Sequence, residues 1–381
     1  MKVSGAWIEA PATQAVCDAL IDRGFQALLV GGCVRNALLD VAVSDIDIAT
    51  DADPNAILEC ARLAKLRAIP TGIEHGTITV LSDGIPHEIT TFRSDMETNG
   101  RHAKVRFSKD VNEDAARRDF TMNAIYAKPD GTIVDPLGGM PDLVNRHLRF
   151  IGDANARIQE DYLRSLRFFR FTAWYGDPTL GIDADGLAAV AQNVDGLAHL
   201  SRERVGAEMK KLMTANDPAQ AVAAMRTSGV LNAVLEGGDD RALGPLIYFE
   251  QMFGKQPDAI RRLSAIAGES HAKELRLSKA DMKRWAILRR EAGDMKSPAH
   301  LGYLHGAVVA QDILLLRAAL LEMPLDQSVL SDTIKGDNAQ FPIKALDLAP
   351  LSGRDLGTKL SLLETRWIAS DFSLTRDELL A

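Results

Sequence analysis

Cysteine is scarce in this chain: Cys17, Cys33 and Cys60 are the only three among 381 residues. They are too few and too irregularly spaced for a disulfide framework or a four-ligand zinc site, which suits a reducing compartment and makes the cytoplasm the expected location. Long apolar runs are missing as well. No stretch of about 18 apolar residues occurs, and the opening MKVSGAWIEAPATQ has no basic flank backed by an apolar segment, so neither membrane spanning nor secretion is expected. Nor is there an excess of positive charge. The 44 Lys+Arg face 52 Asp+Glu, and the formal charge of -8 excludes a uniform electrostatic grip on a polyanion. Any nucleic-acid contact is thereby confined to locally basic surfaces. Fixed-period repeats and low-complexity segments are lacking too. What remains, 46% hydrophobic and 25% charged residues, is ordinary globular usage, and the length suits two to four domains.

The front of the chain alternates between strand and helix signals. ALLVGGCVRNALLDVAVSDIDIAT (27–50) reads as a short apolar strand, a Gly-Gly turn, a helical turn or two, and a second strand from about Val43. In HGTITVLSDGIPHEITTFR, Ile78 and Val80 share one face and Asp83-Gly84 supplies a turn, which predicts an antiparallel hairpin. The polar stretch from Arg93 to Lys104 follows neither period and is expected to be a mobile surface loop. YAKPDGTIVDP predicts one more strand pair, with Asp130-Gly131 as a two-residue turn. Strand signals stop after about residue 141, and from Arg157 onward the period is helical. One helical stretch, from Lys255 to Arg290, carries ten Lys and Arg against four Asp and Glu, about six net positive charges in an acidic protein. A solvated helix face explains it as readily as a binding surface does.

Asp45 and Asp47 lead the candidates for chemistry. Residues two apart on a strand project from one face about 6–7 Å apart, so the two carboxylates could share divalent cations and serve phosphoryl or nucleotidyl transfer. Strand-end capping is the plain alternative. Upstream, Gly31 and Gly32 allow backbone N–H groups close to an anion, and Arg35 stands where it could pair with phosphate oxygens. The spacing of GGCVRNALL does not fit a dinucleotide-binding G-x-G-x-x-G turn. Glu88, on a later strand, could add a third carboxylate. In RRDFTMNAIY, Arg118, Asp119 and Asn123 could hold ribose and phosphate, with Asp119 and Asn123 on one side of a helix, or could merely start that helix. In EDYLRSLRFFRF, Asp161 and Arg164 read at first as a surface ion pair. That reading leaves Arg167 and Arg170, interleaved with phenylalanines, unexplained. Guanidinium and carboxylate groups on such a helix suit a site that reads base edges and triphosphate.

Taken in order, GGCVRN, DID, HEITTFR, RRDFTMNA and EDYLRSLRFFRF resemble the class II tRNA nucleotidyltransferases, or CCA-adding enzymes, and the related bacterial poly(A) polymerases of the DNA polymerase beta superfamily. The resemblance covers residues 27 to 175; beyond about 180 it rests on helical character alone. It implies an α+β fold: a nucleotidyltransferase head with a small mixed or antiparallel sheet over 1–143, then an all-helical region. That region would comprise a neck with the nucleobase-reading helix over 144–240, a body over 241–320 and a tail over 321–381. By the resemblance, Asp45 and Asp47 bind two Mg2+ ions, with Mn2+ as the alternative, and Glu88 completes the catalytic set. Gly31, Gly32 and Arg35 meet the triphosphate, and Arg118, Asp119 and Asn123 hold the nucleotide and check its ribose. Asp161 and Arg164 act as an amino-acid template for CTP or ATP, supported by Arg167 and Arg170. The segment from Arg93 to Lys104 corresponds to a loop linked to switching from CTP to ATP.

The implied partners are tRNA, CTP and ATP, with no membrane, in a monomer or homodimer. The basic stretch 255–290 gains a candidate role in gripping tRNA. The expected activity is template-independent addition of CCA to the 3′ end of tRNA. The alternatives are a poly(A) polymerase, a partial CC- or A-adding enzyme, and a non-catalytic RNA-binding protein. The chain ends at Ala381 without a long basic extension, which favours the tRNA enzyme, and no histidine is followed by Asp, which argues against an appended phosphohydrolase domain. Two departures stand out. Asn36 replaces the family's usual Asp, and LSGRDLGTKL lacks the tail's Pro-Gly-Pro.

Overall fold

The computed structural model describes residues 1–99 and 102–381. The chain forms two compact units, Met1–Glu208 with Gln220–Val234, and Met209–Ala219 with Leu235–Ala381. Among the described residues, no helix is long and apolar enough to cross a membrane. Cys17, Cys33 and Cys60 are free and buried, and burial pushes the Cys17 thiol up to about 12.

The first unit is built on a seven-stranded mixed sheet in the order β3-β4-β5-β2-β1-β8-β9. Its strands are β1 (Leu28–Val30), β2 (Ile46–Thr50), β3 (Arg67–Gly72), β4 (Thr77–Ser82), β5 (Ile85–Thr91), β8 (Tyr126–Ala127) and β9 (Ile133–Val134). Every neighbouring pair is antiparallel except β2 and β5, which run parallel with Asp47 opposite Glu88. The expected β4–β5 hairpin is present. Asp83 and Gly84 take φ values of 49° and 77°, the left-handed pair that matches a two-residue turn to strand twist. Helices Pro11–Ile21 and Pro54–Leu63 pack on the β4 end, burying Val16, Cys17, Leu20, Ile57, Cys60 and Ala61.

Four local expectations are corrected. β2 starts at Ile46 rather than Val43, because the helix Gly32–Leu38 is followed by non-strand chain up to Asp45. The connection between β8 and β9 spans five residues, 128–132, closed by Lys128 N–H bonding to Thr132 O at 2.8 Å around a three-residue loop, 129–131, with Gly131 at φ 81°. The stretch expected as a loop forms a separate two-stranded ribbon, β6 (Arg93–Asn99) and β7 (His102–Phe107); Arg101 lies outside the described residues. Ladder hydrogen bonds need no apolar face, so a polar ribbon gives no alternation to read. Asp119 and Asn123 do not share a helix, since Val111–Ala116 ends before Arg117 and only a 3-10 turn, Thr121–Asn123, follows.

Helices Ala154–Glu160 and Leu163–Tyr175 continue the first unit. The second, which we call the arginine helix, buries Leu166, Phe168, Phe169, Phe171 and Tyr175. Phe120 meets Phe150 at 4.9 Å and Phe171 at 5.3 Å between ring centroids, so the RRDFT segment and the arginine helix are cemented by one aromatic cluster.

The second unit is entirely helical among its described residues. The helices Pro298–His305 and Gln327–Asp337 cross with backbones in contact: a Cβ on Gly336 would sit 1.7 Å from the carbonyl oxygen of Ala299. Its basic stretch corrects another expectation. Arg261 and Arg262 are 3% and 1% exposed and share the buried carboxylate of Glu250, while Asp312 binds Arg261 and Arg284. Arg284 also meets Asp258 at 2.7 Å, and Arg290 meets Glu291 at 3.0 Å. Arg261 and Arg262 thus belong to an internal ion-pair network rather than to a basic surface, whereas Lys273, Arg276, Lys279, Lys283 and Arg290 remain exposed.

Candidate active site

The site grows from the turn after β1. Gly31 takes φ 72°, which lets the chain reverse into the helix Gly32–Leu38 and brings Arg118 close: a Cβ on Gly31 would lie 3.5 Å from Arg118 Nη1. Arg118 is held from the other side. Its Nη2 donates to buried Asp114 at 3.0 Å and its Nε to Tyr126 Oη at 3.1 Å, while Tyr126 donates to Asp114 at 2.7 Å. Burial alone would raise Asp114, but the Arg118 and Arg117 guanidinium groups and the Tyr126 hydroxyl outweigh it and hold the carboxyl down to about 2.

Asp47 lies half-buried on β2 beside exposed Glu88 on β5, and Asp45 precedes the strand, exposed and accepting a 3.0 Å hydrogen bond from Ser44. Asp47 is pushed up from 3.8 to about 6, first by burial, then by the negative charges of Glu88 and Asp45, with Arg118 opposing. The three carboxylates thus feel one another. Among the described residues, no three His, Cys, Asp or Glu side chains are closed into a ready metal cluster. The donor chemistry nonetheless fits divalent cations: oxygen ligands only, on adjacent strands, with like-charge repulsion that a cation would relieve.

Arg35 is placed differently from expectation. It is 6% exposed and bonded to Asn123 Oδ1 at 2.6 Å, Tyr175 Oη at 2.8 Å and Asn36 Oδ1 at 2.8 Å, with its guanidinium 4.0 Å from the Tyr175 ring centroid. Most of its donors are thereby used inside the protein, so it is a strut between the Gly-Gly turn and the arginine helix. Burial lowers its pKa. Asn36, in place of the usual Asp, keeps the acceptor role and donates to Ala42 O at 3.0 Å. The strut continues. Asn123 donates to Asp119 Oδ1 at 2.9 Å, and Arg167 binds Asp119 Oδ2 at 2.7 Å, which against burial holds the Asp119 carboxyl down to about 2.

Asp161 and Arg164 do not pair with each other. The helix is interrupted at Asp161, which takes an extended conformation (φ -154°, ψ 105°) between the two helices. Its Oδ1 accepts from Leu163 N–H at 3.1 Å and its Oδ2 from Arg204 at 2.6 Å. Arg164 instead binds Glu160, and its Nη2 donates to Arg117 O at 3.1 Å. Arg170 pairs with Glu208. The structure brings Gly31, Arg118, Asp47 and Glu88 together, and joins Arg35, Asn123, Asp119 and Arg167 in one chain of bonds.

Sequence reasoning missed Asp114, Tyr126, Tyr175, Arg204 and Glu208, and it gave Glu160, although part of the EDYLRSLRFFRF motif, no partner. Asp114 and Glu160 each stand four residues before an arginine they bind, a spacing that could have flagged them. Arg204, 43 residues from Asp161, gave no local signal.

Comparison with known proteins decides the family. Residues 27–149 match the poly A polymerase head domain, and residues 180–241 match a domain described as "Probable RNA and SrmB-binding site of polymerase A". The human mitochondrial CCA tRNA nucleotidyltransferase 1 is 30% identical over 386 residues, covering 97% of this chain and 88% of that protein. This chain belongs to the CCA-adding tRNA nucleotidyltransferases. A second CCA-adding enzyme, from Bacillus licheniformis, is 32% identical over 359 residues, covering 92% of this chain and 88% of its own. The crystal structure of the Bacillus stearothermophilus CCA-adding enzyme in complex with CTP superposes with a TM-score of 0.70 at 25% identity, covering 95% of this chain and 94% of that one. The Thermotoga maritima CCA-adding enzyme complexed with tRNA shares the fold, with a TM-score of 0.71 at 18% identity. The CCA-adding fold expected from the motifs, a mixed head followed by helices, is the one observed.

Proposed function

We propose that this chain adds C, C and A stepwise to the 3′ end of tRNA from CTP and ATP, releasing pyrophosphate without a nucleic-acid template. The observation that carries the reading is the register of β2 and β5, which sets Asp47 opposite Glu88 in a face completed by Asp45 and edged by Arg118 and the Gly31 turn.

Asp45 and Asp47 would hold the divalent cations, with Glu88 completing the carboxylate face. Bound there, two magnesium ions, or manganese, supply charge neutralisation for the triphosphate and a lowered pKa for the primer 3′-hydroxyl. Arg118, pinned by Asp114 and Tyr126, offers Nη1 to phosphate beside the Gly31 and Gly32 backbone. Asp119 and Asn123 check the ribose. Arg35 and Arg167 keep that pair in place through the bonds described above. Asp161 and Arg164 read the base edge: a carboxylate accepts hydrogen bonds only and a guanidinium donates only. Arg170, bonded to Glu208, supports that helix. The three free, buried cysteines suit a reducing compartment, and we assign the protein to the cytoplasm, although the vertebrate relatives are mitochondrial forms.

The test uses tRNA lacking its CCA, with CTP, ATP and magnesium. Wild type should add three nucleotides and stop, whereas Asp45→Ala should bind the tRNA and add none. Full activity in that variant would remove Asp45 from the chemistry, and a long ladder from ATP alone would identify a poly(A) polymerase.

A further inference from the structure

We propose that Arg204 is a positioning residue that sets nucleotide specificity by fixing the carboxylate of Asp161. This inference rests on the assignment of Asp161 as base reader. Asp161 sits at a break between two helices, where its extended backbone does not by itself restrain the side chain as a helical turn would. Two bonds supply the restraint. Leu163 N–H occupies Oδ1 at 3.1 Å, and the Arg204 guanidinium occupies Oδ2 at 2.6 Å from a helix 43 residues further along the chain.

Each carboxylate oxygen accepts at two lone pairs, so with both bonds made Asp161 still has acceptor capacity on each oxygen. A fixed, acceptor-only group discriminates sharply. Cytosine N4 and adenine N6 are amino donors, whereas uracil O4 and guanine O6 are acceptors that a carboxylate repels. C and A are therefore taken by the feature they share, and U and G are refused by theirs. The refusal requires that the carboxylate cannot swing away from an unwelcome oxygen. Arg204 removes that freedom, and being partly exposed, with 26% of its side-chain surface accessible, it can be replaced without opening the core.

The neighbouring reader is held the same way. Glu160 and the carbonyl oxygens of Arg157 and Arg117 take three of the five donors of Arg164, which fixes its guanidinium and leaves two for the base, so neither reading group is free to follow the base.

The experiment compares wild type, Arg204→Ala and Arg204→Lys. It measures kcat/KM for CTP against UTP on tRNA lacking CCA, and for ATP against GTP on tRNA ending in CC. Alanine should lower both ratios about tenfold or more, chiefly through faster UTP and GTP incorporation, while the unfolding midpoint stays near wild type. Lysine, which keeps the charge but not the planar fork, should restore most of the discrimination. General loosening of the fold would depress all four nucleotides together. Unchanged ratios in Arg204→Ala, with wild type selective, would overturn the inference. If wild type itself does not extend these tRNAs, it is the functional assignment that fails; CTP-over-UTP binding without tRNA then tests Arg204 separately, with unchanged preference in Arg204→Ala again refuting it.

Discussion

Replacing Asp47 by asparagine should make the metal-free protein more stable while abolishing its activity. Asp47 is desolvated and faces Glu88 and Asp45, so its ionised form is disfavoured in the fold, and its pKa rises from 3.8 to about 6. The folded protein therefore binds this proton more tightly than the unfolded chain. Stability is unaffected below about pH 4, falls as pH rises from 4 to 6, and above 6 carries the full penalty. At about 1.36 kcal/mol per pH unit the penalty approaches 3 kcal/mol, and the solvent that still reaches the side chain trims it to about 2 kcal/mol. The assay is denaturation in EDTA at pH 4 and pH 7.5, followed through hydrogen exchange of the β2 and β5 amides so that the first unit is read by itself. The two proteins should match at pH 4, and the asparagine variant should be more stable by about 2 kcal/mol at pH 7.5. Added magnesium should stabilise wild type and leave Asp47→Asn unchanged. Equal stability at pH 7.5, or a less stable variant, would mean that the carboxylates do not repel one another and that the metal argument is unfounded.

Two further outcomes follow from the buried arginines. Asn36→Asp should stabilise the first unit by about 1 kcal/mol, because Arg35 would gain a charged acceptor where it now has an amide, at the cost of the bond to Ala42 O. An unchanged or lower denaturation midpoint would contradict this account of Arg35. Glu250→Gln should destabilise the second unit by about 3–5 kcal/mol, since two nearly inaccessible guanidinium groups would lose the carboxylate they share. A loss below about 1 kcal/mol would show that the network is not what holds those arginines in the interior.

The parts of this fold that were legible in the sequence are those whose signal is local. The Asp83-Gly84 turn between alternating strands, the Gly31-Gly32 turn after an apolar triplet, and the Asp45–Asp47 pair could each be read within a few residues. The polar ribbon β6–β7 gives no such signal, because its pairing is carried by backbone hydrogen bonds. The break at Asp161 was hidden because its neighbours follow a helical period on both sides. Partners distant in sequence were invisible for a different reason. Counting charges from 255 to 290 cannot reveal that Glu250 and Asp312, outside that window, neutralise Arg261 and Arg262 in the interior. Arg204 and Glu208 escaped in the same way, since only the folded chain brings them to the arginine helix.

The most direct measurement offers each nucleotide alone, with magnesium, to three tRNAs that end before CCA, after C and after CC. CTP should extend the first two, ATP only the third, and UTP and GTP none. Repeated ATP addition to all three, or extension that ignores which base is supplied, would contradict the claim that this carboxylate face and its arginine helix build CCA.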